Sequence, residues 1–324
     1  MAKKIISLLV SLGILAAIYY KLDFAAIAKI LLASNLFWVI MSLVMFIPTT
    51  IASSWRFSYL TPEKAIPLWL SVRLFLAAGS LNLVLPSKMG DLFKVFFVRR
   101  KVGLPDSLLL CLVVFEKSLD LAALSLLCLI GILLHPSGDP FLVWVLFAGN
   151  LALVTLIALL VFSPAAASFI FRLFSRIPKL GGKFVTLGQS WDNLQNYLAS
   201  IPHGRTTAVT VSVGIWLLHL VQIWLFMLAL GLEVGFFINM ALTPLAIFIG
   251  LLPMTLAGIG TRDAALIYFY LPYFSPASAA ALGLFCTLRY VLPALFGLPF
   301  IFSFTHSLRL DRLRREVSPL GGDR

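Results

Sequence analysis

The chain has 324 residues, of which 61% are hydrophobic and only 12% are charged. Soluble domains are about 45–50% apolar and about 25% charged, so this composition excludes an ordinary soluble domain and predicts an all-α polytopic membrane protein. The net charge of +12 does not indicate nucleic-acid binding, because lysine and arginine cluster at the ends of apolar segments, where they set membrane topology.

The apolar segments are of two kinds. Six are uninterrupted and long enough to cross about 30 Å of hydrocarbon, and the first of them lacks a convincing cleavage pattern, so it is interpreted as an uncleaved span. Two others contain helix-breaking residues inside the apolar stretch. The uninterrupted segments are 5–21, 36–56, 107–134, 141–162, 206–230 and 277–304. The interrupted segments are about 67–99, with breaks at Pro86 and Gly90, and about 236–272, with breaks at Pro253, Gly258 and Gly260.

The distribution of basic residues predicts the topology. If each interrupted segment enters the membrane and returns to its own side, the basic loop 163–205, the basic tail 305–324 and the N-terminus are all cytoplasmic. Residues 1–134 and 135–304 then form an inverted-topology repeat of three spans plus one re-entrant helical hairpin each. That architecture is typical of alternating-access transporters. The loop 163–205 is either an amphipathic segment on anionic lipid headgroups or a solvated connector.

Charged side chains inside the apolar segments are the candidate functional residues. Each costs at least about 2.5–3.5 kcal/mol to insert, so such residues normally face a protein interior or a wet cavity. The alternative is a set of buried ion pairs that hold the helices in register. The charged residues of these segments are Arg73, Lys88, Asp91, Glu116, Lys117, Asp120, Arg262, Asp263 and Arg289.

The two breaks predict helices that begin inside the membrane, one near Asp91 and one near Thr261. Such a helix start directs free backbone N–H groups and the positive end of a dipole into the membrane interior. Together with Lys88 and Arg262, these ends suit an anion, and phosphate is the obvious candidate. The alternative for Asp91 and Asp263 is that each caps its own helix and restrains the neighbouring base.

Two acids on the segment 107–134 form a second candidate site. Glu116 and Asp120 are four residues apart and therefore share one helix face, from which we expect Lys117 to point away. The two carboxylates are suited to a proton or a cation, or else to ion pairs with Arg73 or Arg289. His219 and Gln222, one turn apart in the segment 206–230, predict an interhelical hydrogen bond rather than a site.

The motifs around these residues resemble the lysylphosphatidylglycerol synthase transmembrane region family, also called flippase-like domain proteins. The resemblance covers nearly the whole chain and includes an arginine in the last span, Arg289. It implies functional positions at Arg56, Gly90, Asp91, Glu116, Asp120, Gly260, Arg262 and Asp263, although the family often has glutamate in place of Asp263. The motifs are "SWRFSYL" (54–60), "LPSKMGDLFKVFFVRR" (85–100), "FEKSLDLAAL" (115–124) and "PMTLAGIGTRDAAL" (253–266).

What the resemblance implies is lipid translocation across the cytoplasmic (inner) membrane of a bacterium or archaeon. The family's multidomain members synthesise an aminoacylated lipid with a separate soluble domain, which these residues do not include, so we expect no catalytic residues, cofactor or metal. The expected ligand is a phospholipid or a lipid-linked sugar or phosphate. A separately encoded lipid-modifying enzyme and a second copy of the chain are further candidate partners. The alternatives are an ion-coupled transporter of a small anion, a membrane component of lipid-linked glycosyl or aminoacyl transfer, and a scaffold.

Overall fold

The computed structural model describes residues 24–62, 66–85, 89–136, 140–177, 181–252, 255 and 258–317. Within these ranges the regular structure is helical, with no strand. The helices are α1 Phe24–Leu32, α2 Leu36–Val44, α3 Phe46–Leu60, α4 Leu68–Val84, α5 Leu92–Val102, α6 Asp106–Leu134, α7 Pro140–Phe162, α8 Pro164–Ser175, α9 Gly181–Ser200, α10 Gly204–Ala229, α11 Phe236–Leu251, α12 Thr261–Tyr270 and α13 Pro276–Val317, and a 3₁₀ turn, Met89–Asp91, precedes α5.

Five helical stretches are long and apolar enough to cross a membrane, which confirms the predicted all-α polytopic class. A helix is favoured there because each of its backbone polar groups is satisfied within the segment. The predicted first span, 5–21, lies outside the described residues. The five stretches are Leu36–Leu60, formed by α2 and α3 together, Asp106–Leu134, Pro140–Phe162, Gly204–Ala229 and Pro276–Phe304.

Both interrupted segments are pairs of helices separated by a break. The second helix of each pair is short, with 11 residues in α5 and 10 in α12. At 1.5 Å per residue they extend only ~15–17 Å, about half the hydrocarbon thickness. Predicted breaks at Gly90, Gly258 and Gly260 therefore coincide with helix ends, whereas Pro86 and Pro253 lie outside the described residues. The inverted orientation of the two halves stays a prediction.

Glycines allow the central helices to pack with their backbones in contact. A Cβ added at Gly297 of α13 would collide with the carbonyl oxygen of Leu76 in α4. One added at Gly131 of α6 would collide with the backbone nitrogen of Ala241 in α11. Only glycine permits approaches this close, and small residues at helix contacts are typical of membrane bundles. The α4–α13 contact is one wall of the cavity described below.

The segment 163–205 is not a solvated connector along its whole length. Trp191, Leu194 and Leu198 of α9 are buried in the core that surrounds the first half of α6. The ring of Trp191 lies 5.5 Å from that of Phe115 in α6. In α8, by contrast, Phe169 is 65% exposed, as an amphipathic segment on a lipid surface would be.

Candidate functional site

A cavity of about 170 Å³ lies between helices from both halves of the chain. Its lining comes from α3, α4, the 3₁₀ turn, α6, α10 and α13. The ionisable and polar lining residues are Thr49, Thr50, Ser53, Arg56, Asn82, Asp91, Lys117, Asp120, Trp216, His219, Gln222, Arg289 and Tyr290. The apolar ones are Phe46, Phe75, Leu76, Gly79, Leu83, Ile215 and Pro293.

Arg56 organises the charges on one side of this cavity. Its Nη2 lies 3.1 Å from Oε1 of Glu116, and its Nη1 lies 2.8 Å from Oδ1 of Asp120. Nη1 also donates a hydrogen bond of 2.7 Å to Oγ of Ser212 in α10. Glu116 and Asp120 therefore share one face of α6, as their spacing predicts, and both receive the same guanidinium. The predicted partners Arg73 and Arg289 were wrong, because the cations on these carboxylates are Arg56, Lys94 and Lys117.

Two lysines extend the cluster to the first break. Lys94 is 1% exposed and its Nζ lies 3.1 Å from Oε2 of Glu116 and 3.5 Å from Oδ1 of Asp91. Nζ of Lys117 lies 2.8 Å from Oδ2 of Asp91 and 3.3 Å from Oδ2 of Asp120. The expectation that Lys117 points away from Asp120 was therefore wrong. Among the described residues, three carboxylates and three cations pair with one another in this cluster, which ties α3, α5, α6 and the 3₁₀ turn together.

Lys94 was not among the candidate residues predicted from the sequence. Its position three residues after Asp91 was the available signal, because residues three apart in a helix are neighbours. Nζ of Lys94 also lies 4.7 Å from the ring centre of Phe75 and 5.1 Å from that of Phe57. These aromatic faces add to the stabilisation of its buried charge.

Arg289 of α13 differs from the other buried cations at the cavity. It is 4% exposed, and its Nη2 donates a hydrogen bond to the hydroxyl of Tyr290, over whose ring the guanidinium also lies. Its Nε and Nη1 are buried and have no hydrogen-bond partner among the described residues. Within the same ranges Arg289 forms no ion pair. Among the described lining residues, Arg289 therefore adds a positive charge that no carboxylate compensates.

Arg73 lies away from the cavity lining. Its Nη2 donates a hydrogen bond of 3.0 Å to Oγ of Ser303, and the guanidinium lies 5.3 Å from the ring centre of Phe300 and 5.5 Å from that of Phe304. These contacts join α4 to α13. The role of Arg73 as a ligand stays a prediction, and so does that of Lys88, which falls outside the described residues.

The second break confirms the capping alternative for Asp263. Oδ2 of Asp263 accepts a hydrogen bond of 3.0 Å from the backbone N–H of Gly260, and Oδ1 accepts from Nη2 of Arg262 at 2.6 Å. Arg262 also donates to the backbone carbonyls of Gly283 and Cys286. Neither Arg262 nor Asp263 belongs to the cavity lining. Their predicted part in binding is untested, and their contacts fix the start of α12 to α13.

Amide and aromatic side chains complete the cavity wall. Nε2 of Gln222 donates a hydrogen bond of 2.8 Å to the backbone carbonyl oxygen of Ser42. The hydroxyl of Ser42 in turn donates a hydrogen bond of 2.7 Å to the backbone carbonyl oxygen of Gln222. This pair confirms the predicted interhelical hydrogen bond for Gln222. Nε1 of Trp216 donates to Oδ1 of Asp120 at 3.2 Å. The cavity thus combines anionic, cationic, aromatic and amide groups with an apolar portion.

Two comparisons show which known proteins the chain is similar to. The sequence model of the family described as the lysylphosphatidylglycerol synthase TM region matches residues 4–297, a range that includes every residue of the cavity lining. A UPF0104 membrane protein of Methanocaldococcus jannaschii is 24% identical over an alignment of 318 residues, and the alignment covers 91% of this chain and 93% of that protein. The chain belongs to the lysylphosphatidylglycerol synthase transmembrane region family.

Proposed function

We propose that this protein is a lipid transporter that moves an anionic lipid headgroup between the leaflets of the cytoplasmic membrane. The observation that carries the proposal is the uncompensated guanidinium of Arg289 at a cavity between the two halves of the chain. A planar guanidinium with free donors binds phosphate oxygens through paired, charge-assisted hydrogen bonds. A phosphate with one negative charge would neutralise the excess positive charge that Arg289 gives to the described part of the lining.

The composition of the lining favours a lipid over a small soluble anion. Apolar side chains such as Phe46, Leu76, Leu83 and Pro293 share the cavity with the ionic residues. An amphiphile needs both kinds of surface, because its headgroup must stay polar while its first acyl carbons stay in apolar contact. A hydrated anion gains nothing from the apolar portion. The membership of a family named for a phospholipid synthase supports the same ligand class.

The balanced cluster beside Arg289 provides a means of release. Asp120 already receives Arg56, Lys117 and Trp216, and its side chain is 15% exposed. Lys117 is 43% exposed and is shared between Asp91 of the break and Asp120 of α6. A headgroup phosphate that reached Lys117 would compete with these carboxylates. The phosphate would therefore bind reversibly, because the ion pairs of Lys117 with Asp91 and Asp120 must break when it binds and can re-form when it leaves. A transporter requires such reversible binding.

The test is translocation of a fluorescent phosphatidylglycerol in phosphatidylcholine vesicles that contain the purified protein. Arg289→Met removes the charge and retains much of the side-chain volume. We expect at least about tenfold slower translocation, because charge-assisted hydrogen bonds to the phosphate are lost. Arg73→Met is the matched control, since it removes an arginine near the same helix pair but outside the lining. Both variants should give monodisperse protein, because neither arginine has an ion pair within the described residues.

A parallel uptake assay with radiolabelled inorganic phosphate separates the rival hypothesis. Arginine-dependent uptake of phosphate without lipid translocation would establish a small-anion transporter in place of the proposed function. Equal translocation by wild type and Arg289→Met would remove the role assigned to Arg289. Equal losses in Arg289→Met and Arg73→Met would show that general helix packing, rather than the cavity charge, is responsible.

A further inference from the structure

The helix α8 has an apolar flank on its outer side. Phe169 and Leu173 are four residues apart on this helix, and they are 65% and 52% exposed. The opposite face of α8 belongs to the core, since Ala167 is buried and the ring of Phe171 lies 5.9 Å from that of Trp191 in α9. Successive residues of a helix are separated by about 100° of rotation, which places Phe169 and Leu173 on the side away from Ala167. The described part of the chain therefore leaves this flank largely uncovered.

Two arginines lie beside the apolar flank. Arg172 and Arg176 are also four residues apart, and both are exposed. Nε of Arg172 donates a hydrogen bond to the backbone carbonyl of Ser168, and neither arginine forms an ion pair with a described residue. The sequence 163–205 contains five basic residues and one acid, Asp192. This excess of positive charge favours an anionic partner.

The position of α8 in the chain favours a lipid surface as this partner. α7 is long and apolar enough to cross a membrane, and α8 begins two residues after α7 ends. The hydroxyl oxygen of Ser163 accepts a hydrogen bond of 3.3 Å from the backbone N–H of Ala166 and so caps the start of α8. The 12 residues of α8 extend only ~18 Å, which is too short to cross the hydrocarbon. A short helix at the end of a span, with an apolar flank beside arginines, has the geometry of an interfacial helix.

We propose that α8 is an interfacial helix that binds anionic lipids of the adjoining membrane leaflet. Phe169 and Leu173 insert between the acyl chains, and Arg172 and Arg176 bind the phosphates of the surrounding headgroups. The inference is independent of the transport site, because no residue of α8 belongs to the cavity lining. The lipids at α8 form a peripheral contact and are not the transported molecule.

Trp191 connects this lipid contact to the helix that carries the ion pairs. Its buried ring lies 5.9 Å from that of Phe171 in α8 and 5.5 Å from that of Phe115 in α6. Phe115 directly precedes Glu116, which pairs with Arg56. Anionic lipid at α8 should therefore hold α9 against α6 and stabilise the folded protein.

The test measures the environment of a fluorescent label on α8. The three cysteines of the chain are buried, so Phe169→Cys provides an exposed thiol for an environment-sensitive fluorophore. The labelled protein is placed in nanodiscs of phosphatidylcholine, with or without an equal part of phosphatidylglycerol, and lipids with a spin label on the acyl chain serve as quenchers. We expect stronger quenching in the anionic nanodiscs. Arg172→Gln and Arg176→Gln should each lower the ratio of inserted to free label about fivefold, as expected for one cation near a lipid surface.

Two control variants keep the same assay. Asn193→Cys places the label on the exposed polar face of α9, where its emission should stay that of an aqueous environment in both lipids. Lys29→Gln removes an exposed cation of α1, a helix that packs on the start of α13, and should leave the label at position 169 unchanged. As a second readout, phosphatidylglycerol should raise the thermal unfolding midpoint more for wild type than for the double variant Arg172→Gln with Arg176→Gln.

Other results would overturn defined parts of the proposal. A label at position 169 that escapes quenching by both lipids and is reached by aqueous iodide would exclude the lipid contact and indicate a protein partner. Equal quenching in both lipids, unchanged by the arginine substitutions, would show apolar contact without recognition of anionic headgroups. An equal rise of the unfolding midpoint in wild type and the double variant would remove the connection to α6. The translocation assay is a separate measurement, so the proposed function stands or falls independently of these results.

Discussion

Replacement of Arg56 by methionine tests the charge balance of the buried cluster. The substitution removes two ion pairs, to Glu116 at 3.1 Å and to Asp120 at 2.8 Å, and the hydrogen bond to Ser212. Among the described residues, the three carboxylates of the cluster then retain two cations, Lys94 and Lys117. Because a carboxylate left uncompensated away from water is strongly unfavourable, the free energy of unfolding should fall by about 3–5 kcal/mol.

The double substitution Arg56→Met with Asp120→Asn separates charge balance from lost packing. It leaves two carboxylates and two cations, so much of the lost stability should return although a second polar contact has been removed. The assay is the thermal unfolding midpoint in a single detergent, with the monodisperse fraction as a check. Asp120→Asn alone should be destabilising, because it leaves an excess cation. The charge-balance argument is refuted if Arg56→Met has the unfolding midpoint of wild type. It is also refuted if the loss of stability in the double variant equals the sum of the losses in the two single variants.

Three further substitutions test the second break and the connector. Gly258→Ala should lower the thermal unfolding midpoint by several degrees. Gly258 has a φ of 76°, and an added Cβ would lie 2.6 Å from the carbonyl oxygen of Gly250. Gly79→Ala is its control, because the space around a Cβ added there is open. Arg262→Ala should cost about 3–5 kcal/mol of stability, since Asp263 loses its cation, and any loss of transport should follow the loss of folded protein. Trp191→Ala should cost about 3–5 kcal/mol through a cavity in the core beside α6, whereas a solvated connector would tolerate it.

The helical spans and their breaks were predictable from local sequence, and the charge pairing was not. A run of about 20 apolar residues predicts a span, and a proline and a glycine close together inside such a run predict its interruption, whereas the separate prolines Pro293 and Pro299 lie within the continuous helix α13. One of the two cations that Glu116 contacts, however, is Arg56, and 60 positions separate these two residues in the chain. Helical periodicity tells which residues share a face, as it did for Glu116 and Asp120, but not which helix that face meets.

The burial of α9 was not predicted, although the sequence contains a pattern that indicates it. Trp191, Leu194 and Leu198 follow the spacing of an apolar helix stripe, which predicts burial on one side of α9 rather than a solvated connector. The excess charge of Arg289 had no such signal. Whether an arginine has a compensating carboxylate depends on its neighbours in three dimensions. The excess charge of Arg289 could therefore be recognised only from the positions of the six charged residues in the ion-pair cluster.

The two breaks therefore have different physical roles in spite of their similar sequence pattern. At the second break, Arg262 and Asp263 satisfy each other and the backbone of α13, which leaves no charge directed at the cavity. At the first break, Asp91 lines the cavity and shares Lys117 with α6. A ligand that reaches Lys117 would therefore act on the first break directly. Two helices connect it to the second break, namely α13, which carries Arg289 and contacts Arg262, and α11, which packs against both α6 and α12. Under the proposed function, headgroup binding in the first half would be coupled to the second half through these two helices.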